Sequence, residues 1–202
     1  MTVNWEDLNS DLQNILEKYR DYALEPYWPL FRSKLMYKQY SSGDRDNKLS
    51  LKGLKQCLKF KNDKIAKMNV ASEIDGNQQR LQFKWSKEDK QLVKKLMINQ
   101  FGHKWNPSGL FLNPKEGGFC GWHTNSDKTM PIIYFVWVEK ENSSWFYTSQ
   151  DGSKIITVSE PKGWSINLFK PPIWHGLKSD CIRFSIGFRQ MEGKAIWLDQ
   201  EK

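Results

Sequence analysis

Two histidines and an arginine in the second half of the chain have the residue types and spacing of a reactive site. His123 and His175 each follow a tryptophan at the end of a short apolar run, in "GWHTNSD" and "IWHGL". In the later run "CIRFSIGF", strict alternation places Arg183 and Ser185 on one face of a strand. Neutral imidazoles are common metal ligands, and an inward-facing arginine needs a negative partner. A lone histidine is more often structural than a ligand, but the shared position of these two at strand ends and the nearby arginine make them candidates for a metal site.

The sequence after Gly102 predicts the scaffold that positions these side chains. Short apolar or alternating runs, separated by Gly, Pro, Asn and Ser, predict seven or eight strands in about 90 residues. Strands this short and this regularly spaced are typical of an all-β sandwich or barrel. Phe184, Ile186 and Phe188 would face away from the arginine side of the last strand. We expect the two histidines to lie at the mouth of the barrel.

The first 100 residues predict helices. One stripe has helical spacing: Leu8, Leu12, Ile15, Leu16 and Tyr19. Asn4 is expected to cap that helix, and Pro26 and Pro29 to end it. The polar stretch 40–47 is expected to be a loop. Ser50 then begins a short helix with three inward leucines, Leu51, Leu54 and Leu58.

A hairpin and a further helix are expected before the strands begin. The Asp75-Gly76 turn and the alternating Leu81, Phe83 and Trp85 predict a hairpin near 70–85. Ser86 is expected to cap the next helix, which Gly102 ends. Its inward face consists of Leu92, Val93, Leu96, Met97 and Phe101.

Composition excludes several classes of protein. Ten tryptophans and 14% aromatic residues exclude a disordered chain. No run of 18 apolar residues is present, and the first residues are polar and acidic, so neither a membrane span nor a secretory signal is expected. Three scattered cysteines predict free thiols in a reducing compartment, so we expect a cytoplasmic protein. The net charge of +8 includes a lysine-rich stretch over 48–67, which suits either a polyanion or a solvated helix face.

The chain also resembles a known family. His123-x-Asn125, then His175, then Arg183-x-Ser185 is similar to the His-x-Asp…His…Arg-x-Ser signature of iron(II)/2-oxoglutarate dioxygenases of the prolyl-hydroxylase kind. The segments "PIIYFVWVE" and "PKGWSINLFKPPIWHGLKS" add to the resemblance, which covers residues 90–190. It implies a double-stranded β-helix (jelly roll) over 101–190, supported by the helical region 1–100, in a single domain over 1–202.

The resemblance also implies roles for particular residues. His123, Asn125 and His175 would be the catalytic metal ligands of Fe(II). Arg183 and Ser185 would bind the far carboxylate of 2-oxoglutarate, with Tyr134 as a further hydrogen-bond donor and Arg189 as the reserve arginine. The implied reaction consumes 2-oxoglutarate and O2 and hydroxylates a C–H bond, with succinate and CO2 as co-products. Nothing in the sequence selects among nucleic acid, protein and small-molecule substrates.

Asn125 departs from the family signature because an amide carries no charge. Along an extended strand it would lie about 6.6 Å from His123, and Asp127 about 13 Å away. Asp127 can therefore reach a metal only if the chain turns at "NSDK", whose residues favour a turn. Four arrangements remain open: Asn125 at the metal directly or through water, Asp127 folded back, an open third position, or no catalytic iron.

Other functions remain open as well. A cupin-like metal protein shares the barrel, although Asn125 stands where its second histidine is expected. His103 can be added to make a three-histidine site, but "FGHKW" fits the end of a helix better. A catalytically silent binding module is the alternative from a different class. We disfavour it because a silent barrel has no need of Arg183 and Ser185.

Overall fold

The computed structural model describes residues 3–25, 42–60, 79–81, 85–113, 115–124, 130–149, 153–170 and 173–191. A 3-10 turn, Trp5–Asp7, precedes the helices, which are α1 Ser10–Leu24, α2 Ser42–Leu49, α3 Leu51–Phe60 and α4 Lys87–Phe101. The strands are β1 Gln79–Leu81, β2 Trp105–Asn113, β3 Gly118–His123, β4 Ile132–Val138, β5 Ser143–Thr148, β6 Ile155–Glu160, β7 Gly163–Phe169, β8 His175–Ser179 and β9 Arg183–Gln190.

The strands form two antiparallel sheets in the described part of the chain. The larger has the order β1-β2-β9-β4-β7, and the smaller has the order β3-β8-β5-β6. From β2 to β9 the chain crosses between the sheets at every step except the β5–β6 hairpin. This connectivity is that of a double-stranded β-helix, and it confirms the predicted jelly roll with N-terminal helices. None of the described helices is long and apolar enough to span a membrane.

The main hydrophobic core lies between the helices and the outer face of the larger sheet. Leu12 and Leu16 of α1 and Met97 of α4 pack in one cluster with residues of β9, namely Phe184, Ile186 and Phe188. The predicted alternation of β9 is therefore confirmed. Because the apolar residues of β9 face the helices, Arg183 and Ser185 are directed between the two sheets.

The start of the first helix differs from the prediction. Asn4 precedes the 3-10 turn, whereas Asn9 caps α1 by accepting hydrogen bonds from the amides of Asp11 and Leu12. Leu8 is buried just ahead of the helix, and the rest of the predicted stripe is buried within it. Pro26 and Pro29 lie outside the described residues, and α1 ends at Leu24.

The loop predicted over 40–47 is wrong over most of its length, because α2 occupies 42–49. Local polarity is outweighed by tertiary contacts: Leu49 is buried, and Arg45 pairs with Asp180 beyond β8. Ser50 accepts a hydrogen bond from the amide of Gly53 at the start of α3, as expected for a cap. Leu54 is buried as predicted, but Leu51 is 45% exposed. The side chain of Leu58 is not among those described.

The hairpin predicted near 70–85 lies mostly outside the described residues and stays a prediction. β1 adds to the edge of the larger sheet, with Leu81 opposite Leu110 of β2. Trp85 lies outside the strand and packs against the core, while Asp75, Gly76 and Phe83 lie outside the described residues.

The helix predicted after the hairpin is present as α4. Ser86 caps it by accepting from the Asp89 amide, and Gly102 ends it at a φ of 77°. Val93, Leu96 and Met97 are buried as predicted, and Phe101 is partly buried against the same core. The inward position assigned to Leu92 is wrong, because that side chain is 42% exposed.

Candidate active site

His123 and His175 lie side by side at one end of the barrel. Strands β3 and β8 are antiparallel neighbours, and the two histidines occupy directly opposed positions in their register. The centroids of the imidazole rings are 4.2 Å apart, with 52° between the ring planes. Both side chains are buried. The β-helix thus brings together two residues that are 52 positions apart in the sequence.

Backbone carbonyls fix the tautomer of both imidazoles. The Nδ1 atom of His123 lies 2.8 Å from the carbonyl oxygen of Gly121, and that of His175 lies 2.9 Å from the carbonyl of Ile173. A carbonyl only accepts, so Nδ1–H must be the donor in both cases and the lone pair resides on Nε2. Metal-binding histidines are commonly oriented in this way by a hydrogen bond from the second ring nitrogen.

The surroundings keep His175 neutral. Burial lowers its pKa well below 6.5, and the neighbouring His123 lowers it further. The rings of Phe169 and Trp145 stand 4.8 and 6.1 Å from its own ring, centroid to centroid. A neutral imidazole beside aromatic walls has a lone pair suited to a cation and cannot readily acquire a proton instead.

A third ligand for a metal is not found among the described residues. No group of three or more His, Cys, Asp or Glu side chains is arranged to hold a metal within them. His103, the suggested third histidine, follows the αL cap at the end of α4 and belongs to no such group. Asn125 and Asp127 lie outside the described residues, so the predictions made for them stay predictions.

Cys120 lies between the histidines and the arginine. Its Sγ is 3.6 Å from Nδ1 of His123. Burial raises the pKa of Cys120 to about 12, and the charge of Arg183 offsets this only in part. The thiol therefore stays protonated at neutral pH and does not supply a thiolate ligand.

Deeper between the sheets, Arg183 is paired with an acid that the sequence analysis did not identify. Its Nε donates to Oε2 of Glu160 at 2.7 Å, and its Nη2 donates to Oε1 at 2.8 Å. The remaining nitrogen, Nη1, donates to the hydroxyl of Ser185 at 3.2 Å. Glu160 is the last residue of β6, in the opposite sheet. The side chains of the arginine and the glutamate are 4% and 1% exposed.

Glu160 is held from two further directions. The Ser143 hydroxyl donates to Oε2 at 2.5 Å, and Nδ2 of Asn167 donates to Oε1 at 3.0 Å. Burial favours the neutral acid, but the charge of Arg183 and these hydrogen bonds outweigh it and keep the pKa of Glu160 below 4.5. The carboxylate is therefore ionised, and the pair carries no net charge.

Tyr134 lies on the same inner surface, opposite Gly187 in the register of β4 and β9. A Cβ at Gly187 would come within 2.6 Å of the tyrosine ring, so only glycine leaves room for the ring there. The ring stacks on Phe169 at 6.0 Å, which also borders His175. Tyr134 also interacts electrostatically with Arg183. Tyr134 thus contacts the histidine surroundings and lies near the ion pair.

The sequence predicts only indirectly that a carboxylate such as Glu160 pairs with Arg183. An inward arginine on β9 requires a carboxylate, and the chain contains 23 acidic residues that could supply it. Glu160 ends an alternating run before Pro161, which marks it as a strand-end residue. The choice among the acids depends on how β6 aligns with β5, and periodicity along one strand does not specify that alignment.

Comparisons with known proteins give likenesses of fold. No family model and no curated protein matches the chain. A Pseudomonas putida prolyl-4-hydroxylase is 12% identical, with a TM-score of 0.43 over 90% of this chain and 99% of that one. A Burkholderia pseudomallei oxidoreductase of the 2OG-Fe(II) oxygenase family is 9% identical, with a TM-score of 0.42 over 75% and 91%. The Drosophila melanogaster CENP-C cupin domain is 11% identical, with a TM-score of 0.35 over 69% and 96%.

These likenesses are distant and include both oxygenases and a cupin domain. The strand order, and not the overlap with these structures, establishes the double-stranded β-helix of this chain. The function must therefore be inferred from the side chains inside the barrel.

The resemblance implies two bound groups, a divalent metal and 2-oxoglutarate, and the residues of the site fit the metal better than the cosubstrate. A divalent metal fits His123 and His175, since both rings are carbonyl-oriented and adjacent and burial keeps His175 neutral. The far carboxylate of 2-oxoglutarate fits less simply, because the bidentate edge of Arg183 already holds Glu160.

Proposed function

We propose that the chain is a non-haem Fe(II)-dependent oxygenase that uses 2-oxoglutarate and O2 to hydroxylate a C–H bond. The observation that carries the proposal is the pair His123 and His175, opposed in register at one end of a double-stranded β-helix with both lone pairs on Nε2. Iron held by two histidines and one further oxygen ligand retains open positions for cosubstrate and O2. Bound iron would supply the oxidative chemistry.

The chain's own residues would have separate tasks in this reaction. His123 and His175 hold the metal, and Asn125, directly or through water, completes the site, with Asp127 as the alternative third ligand. Phe169 and Trp145 limit the access of water to the metal. The primary substrate would be a nucleic acid, a protein or a small molecule, and we expect a cytoplasmic location.

Arg183, Ser185 and Tyr134 are the proposed site for the far carboxylate of 2-oxoglutarate. Their placement between the sheets, near the histidines, supports this assignment. Cys120 connects the two groups, because its Sγ contacts His123 and, although burial raises its pKa, the charge of Arg183 acts to lower it. Glu160 complicates it, because Arg183 must be released or shared before a second carboxylate can bind there.

One observation favours the second candidate function, a metal-binding or catalytically silent jelly roll. From the sequence alone, a silent barrel is disfavoured because it does not require Arg183 and Ser185 as a carboxylate-binding site. The ion pair with Glu160 gives both residues a structural task, so that reason no longer holds. A cupin-like metal protein without a cosubstrate is compatible with the same geometry.

Thermal unfolding with and without ligands separates the two functions. For the oxygenase we expect Mn(II), as an air-stable substitute for Fe(II), to raise the Tm, and 2-oxoglutarate to raise it further only when Mn(II) is present. Calorimetry should show that Arg183→Ala loses 2-oxoglutarate binding and keeps metal binding. Unchanged 2-oxoglutarate affinity in that variant would shift the assignment to Arg189. No effect of 2-oxoglutarate on any form, with metal binding intact, would favour the cupin-like alternative.

A further inference from the structure

We propose that Glu160 is an internal competitor for the cosubstrate, so that Arg183 accepts the far carboxylate of 2-oxoglutarate only when Glu160 withdraws from it. The inference rests on the proposed function and adds a determinant of cosubstrate affinity within the chain. Its basis is the bidentate contact between the two side chains, their burial, and the position of Glu160 at a sheet edge.

The first step is the geometry of the guanidinium group. An arginine binds a carboxylate most favourably through two parallel N–H···O bonds. The Nε and Nη2 edge of Arg183 makes this contact with Glu160, at 2.7 and 2.8 Å, and Nη1 donates to Ser185. A ligand carboxylate that needs the same bidentate edge must displace Glu160.

The second step is the charge. Arg183 and an ionised Glu160, joined by two hydrogen bonds, are together neutral. A second carboxylate in this buried cluster would leave one negative charge uncompensated, and burial makes such a charge costly. Even a ligand that reached the remaining N–H groups of Arg183 would therefore bind weakly while Glu160 stayed in place.

The third step is the difference in mobility expected for the two partners. Arg183 begins β9, which is hydrogen-bonded to β2 on one side and to β4 on the other. Glu160 ends β6, an edge strand of the smaller sheet, and residues 156–159 of that strand are exposed. Withdrawal of Glu160 would disturb one hairpin, whereas withdrawal of Arg183 would disturb the centre of the larger sheet. The glutamate is therefore the partner that a ligand would displace.

The test measures 2-oxoglutarate affinity in the presence of Mn(II) for the wild type and two variants. Glu160→Gln keeps the shape of the side chain and removes its charge, and Glu160→Ala empties the position. Asp180→Ala is the matched control, since it removes a carboxylate that also pairs with an arginine, Arg45, at 2.5 and 3.2 Å. Calorimetry gives the affinities, and thermal unfolding with acetate shows whether the emptied position takes a carboxylate.

We expect both Glu160 variants to bind 2-oxoglutarate at least tenfold more tightly than the wild type. Acetate should raise the Tm of Glu160→Ala and leave that of Asp180→Ala and the wild type unchanged. Mn(II) affinity should be the same in all four proteins, since none of the changes touches His123 or His175. If Glu160→Ala does not fold, the comparison of Glu160→Gln with the wild type decides the matter.

Two results would overturn the inference, and they differ in what they leave standing. If the wild type binds 2-oxoglutarate as tightly as Glu160→Gln, or more tightly, Glu160 does not compete, while the proposed oxygenase function remains. If neither the wild type nor the variants bind 2-oxoglutarate although all bind Mn(II), the inference and the proposed function both fail.

Discussion

The two polar regions inside the barrel differ in composition and in charge. At the deep end, Arg183 and Glu160 cancel each other's charge, and Ser143, Asn167 and Ser185 hydrogen-bond to the pair. At the mouth, the buried imidazoles of His123 and His175 lie opposite each other, and His123 lowers the pKa of His175. The deep end is thus an ion pair without net charge, whereas the mouth is the proposed metal site.

This difference distinguishes a structural role from a functional role inside one barrel. A buried, hydrogen-bonded charge pair can be kept for architecture alone, although its net contribution to stability is commonly small. Two buried histidines with carbonyl-oriented rings have no comparable structural advantage over apolar residues at the same positions. The proposed function accordingly lies at the mouth, and the deep end is the proposed determinant of cosubstrate affinity.

The largest expected effect is on stability, at the deep end. Arg183→Ala leaves an ionised, buried carboxylate without its cation and should lower the free energy of unfolding by about 3–5 kcal/mol. Arg45→Ala, which breaks a pair whose acid is 37% exposed, should cost less. Denaturant unfolding of both variants measures the difference. Equal losses would mean that the pair at the deep end is no more important than one near the surface.

The next effect concerns the metal affinity of the mouth. Asn125→Asp adds a negative charge at the proposed third ligand, so Mn(II) should bind about tenfold more tightly or better, a gain of about 1.4 kcal/mol. Asp127→Ala should change little. Titration of Mn(II) into both variants provides the measurement, with the wild type as reference.

The opposite pattern would reassign the third ligand. If Asp127→Ala loses most of the metal affinity and Asn125→Asp is neutral, Asp127 folds back to the metal. If neither change matters, the third position is open or filled by water.

A smaller effect is the pH dependence contributed by the deep end. The folded-state pKa of Glu160 lies below its ordinary value of 4.5, so the pair's contribution is fully present above pH 4.5 and is lost as the pH falls through the folded value. Asp89 and Asp180 also have lowered pKa values, so the wild type must be compared with Glu160→Gln. We expect the variant to lose less stability between pH 5 and pH 3 in urea unfolding at each pH. Parallel curves would show that folding does not shift the pKa of Glu160.

The same contrast explains what the sequence can and cannot predict. Alternation along β9 correctly separates Phe184 from Arg183, and turn residues correctly predict many short strands, because both signals are local. The helix of 42–49 and the partner of Arg183 depend on distant contacts, with Asp180 and with Glu160. Pairing between strands far apart in the chain is set by packing of the whole sheet, so it cannot be predicted from local patterns in a single sequence.

The histidine pair shows an intermediate case. Each histidine can be picked out from the sequence because it follows a tryptophan at the end of a short apolar run. The resemblance to the dioxygenase signature then suggests that the two histidines act together. Their direct opposition in register, and the carbonyl groups of Gly121 and Ile173 that fix their tautomers, required the structure.

The central claim is tested most directly by calorimetric titration of Mn(II) into the wild type, His123→Ala, His175→Ala and His103→Ala. We predict one equivalent of saturable binding in the wild type and in His103→Ala, since His103 lies apart from the pair, and loss of binding in the other two variants. Binding that survives unchanged in both His123→Ala and His175→Ala would contradict the account, because the mouth of the barrel would then not be a metal centre.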